Sequence, residues 1–237
     1  MANKIAFMNQ KGGVGKTTSA LCLADVLFFQ GYKVLLVDID AQANSTAMTI
    51  PNPDELTKDI TDVLLTPGTS LSDIIVKSRL GYDLAPSSIK LSSADIHLSS
   101  VIAREFILKT ALSRVEHLYH YIIIDCPPTF NNVTINALIA SDLVLSPLLP
   151  STFSMQAVKA MTESVNSIKS LNPNLGYYYF LTQFDNRLKN YIENAEYIKG
   201  VLPNLLPTVI RIDNNVRRVQ DAKVSILKAG YSTKSFL

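Results

Sequence analysis

Between residues 10 and 18 the chain reads Gln10-Lys11-Gly12-Gly13-Val14-Gly15-Lys16-Thr17-Thr18. Glycines at this density let backbone N–H groups close around phosphate oxygens. Lys16 adds a point charge for the β- and γ-phosphates, and the Thr17 hydroxyl is a ligand for Mg²⁺. The ordinary phosphate loop is G-x-x-x-x-G-K-[ST], and here Gln10 stands where the first glycine is usual. Lys11 is a second lysine, at the loop's mouth. It is poorly placed for phosphates held by its own loop but suited to those of a facing subunit, as an arginine finger acts in trans.

Two acidic segments follow apolar runs. In Val37-Asp38-Ile39-Asp40, strand alternation puts both carboxylates on one side, where they can hold Mg²⁺-bound waters and position an attacking water. In Tyr121-Ile122-Ile123-Ile124-Asp125, an apolar strand ends on one carboxylate, the Walker B arrangement for a magnesium shell. An open parallel sheet presents ligand groups at these strand ends.

The elements that must carry these groups alternate between strand and helix. Expected strands are 5–8, 34–37, 82–85, 121–124, 143–145, 177–181 and 206–210. Expected helices are 16–30, 90–118, 131–140, 154–170, 187–201 and 214–223, with short ones near 59–65 and 70–78. Val34–Val37 and Ile122–Ile124 are continuously apolar, as in strands covered on both faces. Gly31 is placed to end the first helix. The expectation is an α/β P-loop fold: a mostly parallel twisted sheet flanked by helices, forming one domain over 1–237.

KGGVGKTT resembles the deviant Walker A loop of the ParA/MinD class of ATPases. DIDAQANST is similar to that family's D-x-D-P-Q-x-N-x-T, with Ala41 where proline is usual. LAPSSIKLSSADIHL at 84–98, YIIIDCPPTFNNVTINALIASD at 121–142 and LTQFDNR at 181–187 extend the likeness over nearly the whole chain. The nearest resemblance is to short ParA partition ATPases without an N-terminal helix-turn-helix domain. It implies a nucleotide site made by Lys11, Gly12, Gly13, Val14, Gly15, Lys16, Thr17 and Thr18, with Asp185 and Asp213 toward the base. It also implies Mg²⁺ held by Thr17, Asp40 and Asp125, and catalysis by Lys11, Lys16 and Asp40. Lys11 would act on the partner subunit's ATP in a nucleotide-sandwich homodimer, with Gly12 where the two loops face each other. The family's I-P-R-N-V-R is altered here to Ile212-Asp213-Asn214-Asn215-Val216-Arg217, which changes the base-side loop.

Residues 187–237 carry a net charge of +5 and the rest −3, which points to an anionic partner. With the resemblance, the expected partner is DNA, held without sequence preference by Arg187, Lys189, Arg217 and Arg218. A ParB-like centromere-binding protein would stimulate hydrolysis, in a cytoplasmic, nucleoid-associated setting. The alternative is a MinD-like ATPase, or another member of the family, that positions cargo at a membrane surface or on a protein. A MinD-like role needs an amphipathic C-terminal helix, and AGYSTKSFL at the chain's end has no such stripe. Nothing reaches 18 consecutive apolar residues, so stable membrane insertion is not expected. Cys22 and Cys126 read as small apolar fillers, badly placed for a cluster shared between subunits.

Overall fold

The computed structural model describes residues 1–151 and 154–225. In chain order the elements are β1 (Asn3–Phe7), α1 (Lys16–Phe29), β2 (Val34–Asp38), α2 (Asn44–Thr49), α3 (Ile60–Leu65), β3 (Val76–Lys77) and β4 (Asp83–Ala85). There follow α4 (Ala94–Leu98), α5 (Ile107–Ser113), β5 (Tyr121–Asp125), α6 (Asn132–Ala140), β6 (Leu143–Leu148), α7 (Ser154–Ile168), β7 (Gly176–Phe184), α8 (Lys189–Val201), β8 (Leu205–Arg211) and α9 (Asn214–Asp221). The strands form one eight-stranded sheet in the order β3-β4-β2-β5-β1-β6-β7-β8. All pairs are parallel except β3 with β4.

The continuous apolar strands are buried on both sides. Along β2 and β5 alternate residues enter opposite cores: Leu35, Val37, Ile122 and Ile124 on one face, Val34, Leu36 and Ile123 on the other. The second face packs Ala20, Leu21, Ala24 and Leu27 of α1. Leu36 and Ile123 are fully buried, so truncating either to alanine costs about 2–5 kcal/mol. Helix α1 ends as expected. Gly31, at φ 89, and Tyr32 turn their N–H groups back onto the carbonyls of Phe28 and Leu27.

Two sequence expectations give way. The stretch 90–118 is not one helix but short pieces, α4 and α5 among 3₁₀ turns at Ile89–Ser93, Arg104–Phe106 and Glu116–Leu118. Its polar side chains compete for the helical hydrogen bonds. Ser99 and Ser100 donate to the carbonyls of Asp95 and His97, and Asn136 of α6 captures the Leu108 N–H and the Arg104 carbonyl. Residues 70–78 make only a 3₁₀ turn, Leu71–Asp73, capped by Ser70 and Asp73, before the chain pairs as β3. The β-branched run Ile74-Ile75-Val76 favours that extended end. No helix among the described residues is long and apolar enough to cross a membrane. The expectation for the last nine residues falls on 229–237, outside the described residues.

Candidate functional site

Strand order places β1 between β5 and β6, so the chain leaves the sheet in opposite directions on the two sides of β1. The crevice at the carboxyl ends of such strands is where doubly wound sheets bind ligands. The 9–15 loop follows β1, the Asp38–Ala43 turn follows β2, and Asp125 closes β5.

The loop after β1 is held by its own flanks. The buried Asn9 side chain accepts from the Lys11 N–H at 2.8 Å and donates to the Pro147 carbonyl at 2.8 Å. Gln10 replaces the usual glycine and donates to Ser164 of α7 at 2.9 Å. Gly13 and Gly15 have φ of 71 and 92, left-handed values at which a side chain is strained. A side-chain carbon built on Gly12 or Gly13 would meet nothing within 4 Å, so this surface is open to close approach. Gly15 caps α1 with no side-chain hydrogen bond, and the first turn has no acidic residue. Unsatisfied N–H groups and the helix dipole therefore favour an anion here.

Lys16 is buried, and its ammonium donates to the Lys11 carbonyl at 3.2 Å. Burial lowers its pKa, while the nearby Asp125 and Asp40 carboxylates oppose that shift. Asp125 is fully buried. Its Oδ2 accepts from Ser45 at 2.7 Å, whereas Oδ1 is buried with no hydrogen-bond partner among the described residues. Burial pushes its pKa up, against the hydroxyls of Ser45 and Thr17. Asp40 is buried to 8 % exposure, and one of its oxygens accepts from the Gln42 N–H at 2.9 Å. Lys16, Thr17, Asp40 and Asp125 are thus brought together.

Asp38 separates from Asp40. It is fully buried and accepts from the Thr46 N–H, the Thr46 hydroxyl and the Asp40 N–H. These bonds fix the turn into α2. Burial and the neighbouring Asp125 raise its pKa. Cys126 is a buried filler, and Cys22 lies half-buried on α1.

On the other side of the loop a cleft of about 620 Å³ runs between α1, the sheet and α9, lined by Gly15, Thr18, Phe180, Gln183, Ile210 and Asp213. Asp213 caps α9 through the Asn215 N–H, and Gln220 of α9 donates to Thr18 at 2.9 Å. Asp185 is engaged elsewhere, in a two-pronged pair with Arg187 that holds its carboxyl down at about 2. Arg187 and Lys189 are well exposed, Lys189 lying 3.5 Å from Glu193, and Arg218 is exposed on α9. The Arg217 side chain is outside the described residues. Sequence reasoning missed Asn9, one residue before the quoted loop, and Ser45, Thr46 and Thr182, which lie inside quoted motifs.

These residues fit a nucleotide with its magnesium. The open loop suits phosphates, and the buried, unpartnered Asp125 Oδ1 suits a cation or its water. No cluster of three His, Cys, Asp or Glu side chains able to hold a metal occurs among the described residues.

The AAA domain family matches residues 2–177. Soj, the sporulation initiation inhibitor protein of Bacillus subtilis, is 37% identical over 92% of this chain and 86% of its own. The chromosome partitioning protein ParA of Myxococcus xanthus is 35% identical over 90% and 76%. The chain spans about 60% of the length of an uncharacterised Mycobacterium tuberculosis protein to which it is 41% identical over 80% of its residues. Among solved structures, cobyrinic acid a,c-diamide synthase from Mycobacterium smegmatis with bound ADP and magnesium superposes at a TM-score of 0.85, with 29% identity over 100% of both chains. A putative plasmid partition protein from Borrelia burgdorferi bound to AMPPNP superposes at 0.80, with 26% identity over 93% and 89%. The fold is that of the P-loop NTPases, and the chain belongs to the AAA domain family, within it to the ParA-type ATPases that include Soj.

Proposed function

We propose that the whole chain works as one partition ATPase, with ATP and Mg²⁺ as its ligands. The observation that carries this reading is the convergence of Lys16, Thr17, Asp40 and the unpartnered Asp125 oxygen at one end of the phosphate loop. Backbone N–H groups from Gly12 to Thr18 cradle the phosphates, and Lys16 supplies the fixed charge. Thr17 and Asp125 hold the magnesium shell, and Asp40 orients the attacking water. Magnesium, when bound, neutralises charge that develops on the phosphates. Lys11 acts on the second subunit's nucleotide, so hydrolysis waits for a dimer. The open surface over Gly12 suits the close facing of two loops. Asp213 and the cleft beside Thr18 take the base. Asp185 contributes only if its pair with Arg187 opens.

The dimer binds DNA without sequence preference through Arg187, Lys189, Arg217 and Arg218, and a ParB-like protein on a centromere stimulates hydrolysis. Pairing two patches on one duplex makes binding ATP-dependent by avidity. A salt titration of duplex binding by wild type and by the Arg217→Glu, Arg218→Glu variant, with ATP and Mg²⁺, tests this. Each lost phosphate contact lowers the salt slope by roughly one unit. Unchanged affinity and slope in a variant that still dimerises would remove this surface from the account. Wild type that hydrolyses ATP but never binds DNA would favour the alternative, positioning of a protein or membrane cargo.

A further inference from the structure

Two consecutive residues of β7, Thr182 and Gln183, both reach the phosphate loop. Thr182 Oγ1 donates to the Val14 carbonyl at 2.9 Å, and Gln183 Nε2 donates to the Gly13 carbonyl at 2.8 Å. In a regular strand this is impossible, because neighbouring side chains point to opposite faces. The strand is irregular at this point. Leu181 pairs with Val209 and Phe184 with Arg211, so three steps along β7 match two along β8. That is one extra residue, a β-bulge, a device that re-aims side chains beside functional sites. Gln183 has φ 51, left-handed backbone that a residue other than glycine adopts at a cost. Bulge and left-handed turn together swing Gln183 to the side Thr182 already occupies.

The consequence lies in the peptide planes of the loop. Its peptide bonds are trans, so each carbonyl points opposite to the N–H of the next residue. Holding the Gly13 carbonyl on Gln183 turns the Val14 N–H the other way, and holding the Val14 carbonyl on Thr182 does the same for the Gly15 N–H. Those are two of the N–H groups that a phosphate would bind. Among the described residues neither donates to another protein atom.

We infer that Gln183 is a positioning residue for nucleotide phosphates: its amide, delivered by the β7 bulge, fixes the Gly13–Val14 peptide in the orientation that binds them. This rests on the phosphate-loop reading above. A preset peptide need not be ordered when ligand arrives, so affinity is gained without a contact between Gln183 and the phosphates. The same side chain lines the base-side cleft, 3.9 Å from where a side-chain carbon on Gly15 would lie, and so ties the two halves of the site together.

The test compares wild type with Gln183→Gly and Gln183→Met, measuring Mg²⁺–ADP affinity by calorimetry and thermal unfolding without nucleotide. Glycine tolerates left-handed backbone, so Gln183→Gly should unfold at the same or a higher temperature. It should nevertheless bind ADP about three- to tenfold more weakly, the effect of one hydrogen bond. Methionine keeps the length without the donor and should weaken binding similarly. Binding within twofold of wild type in both variants overturns the inference alone. A glycine variant that loses stability together with affinity, while the methionine variant binds normally, makes Gln183 a folding residue and also overturns it. Wild type that binds no ADP overturns the phosphate-loop reading, and this inference with it.

Discussion

Asp125→Asn should make the nucleotide-free protein more stable at pH 8 while removing its magnesium-dependent nucleotide binding. The carboxylate is fully buried, one oxygen is held by Ser45, and the other has no partner among the described residues. Leaving a buried polar atom unpaired costs about 1–3 kcal/mol. Burial raises the folded-state pKa above the unfolded value of about 4. For a carboxylate with a raised pKa, stability is lost as pH rises from the unfolded value through the folded one. With the folded value near 6, the penalty is therefore complete at pH 8, about half-formed at pH 5 and small only near pH 4. An asparagine oxygen can still accept from Ser45, its amide nitrogen takes the unpaired position of Oδ1, and the gain comes from removing a buried charge, which also no longer repels Asp38. Against this, Lys16 loses one of its two carboxylate neighbours and keeps Asp40. The net gain should sit near the low end, about 1 kcal/mol, or roughly 2–4 °C in midpoint for a chain of this size. Scanning calorimetry at pH 8 and pH 4.5 reads the difference, and a second series with Mg²⁺–ADP should stabilise wild type far more than the variant. A gain equal at both pH values, or a loss at pH 8, would refute the reasoning.

Mixing Lys11→Ala with Asp40→Ala protein should restore hydrolysis that neither shows alone, since each mixed dimer has one site with Asp40 intact and Lys11 supplied by the other subunit; heterodimers without activity would rule out the trans role. Asp40→Ala by itself should bind ATP and accumulate as a dimer, visible in light scattering as about twice the 26.1 kDa monomer mass. Ala43→Gly should stabilise the fold by about 0.5–1 kcal/mol, because Ala43 begins α2 at φ 50, where glycine carries no side-chain penalty. Urea unfolding at unchanged slope is the measure, and a loss of stability would show that the turn is not strained.

What the sequence made legible was local. The phosphate loop announces itself because its glycines, lysine and threonine must lie next to one another to work. Asp125 is visible because the apolar run before it can only be a buried strand. The break-up of 90–118 was hidden because serines and aspartates read as an exposed helix face until their hydrogen-bond partners are known. Asp38 and Asp40 share a pattern, and only the position of Thr46 assigns one to structure and leaves the other at the site. The residues that orient the loop lie farthest from it in sequence. Thr182 and Gln183 contact it across 168 and 170 positions, and Ser164 accepts from its Gln10 across 154. A motif names the groups that can touch a phosphate. Their aim is set by carbonyls turned outward onto another strand. The β7 bulge is visible only once the register with β8 is known, so substitutions far from the motif should alter nucleotide affinity while every motif residue stays in place.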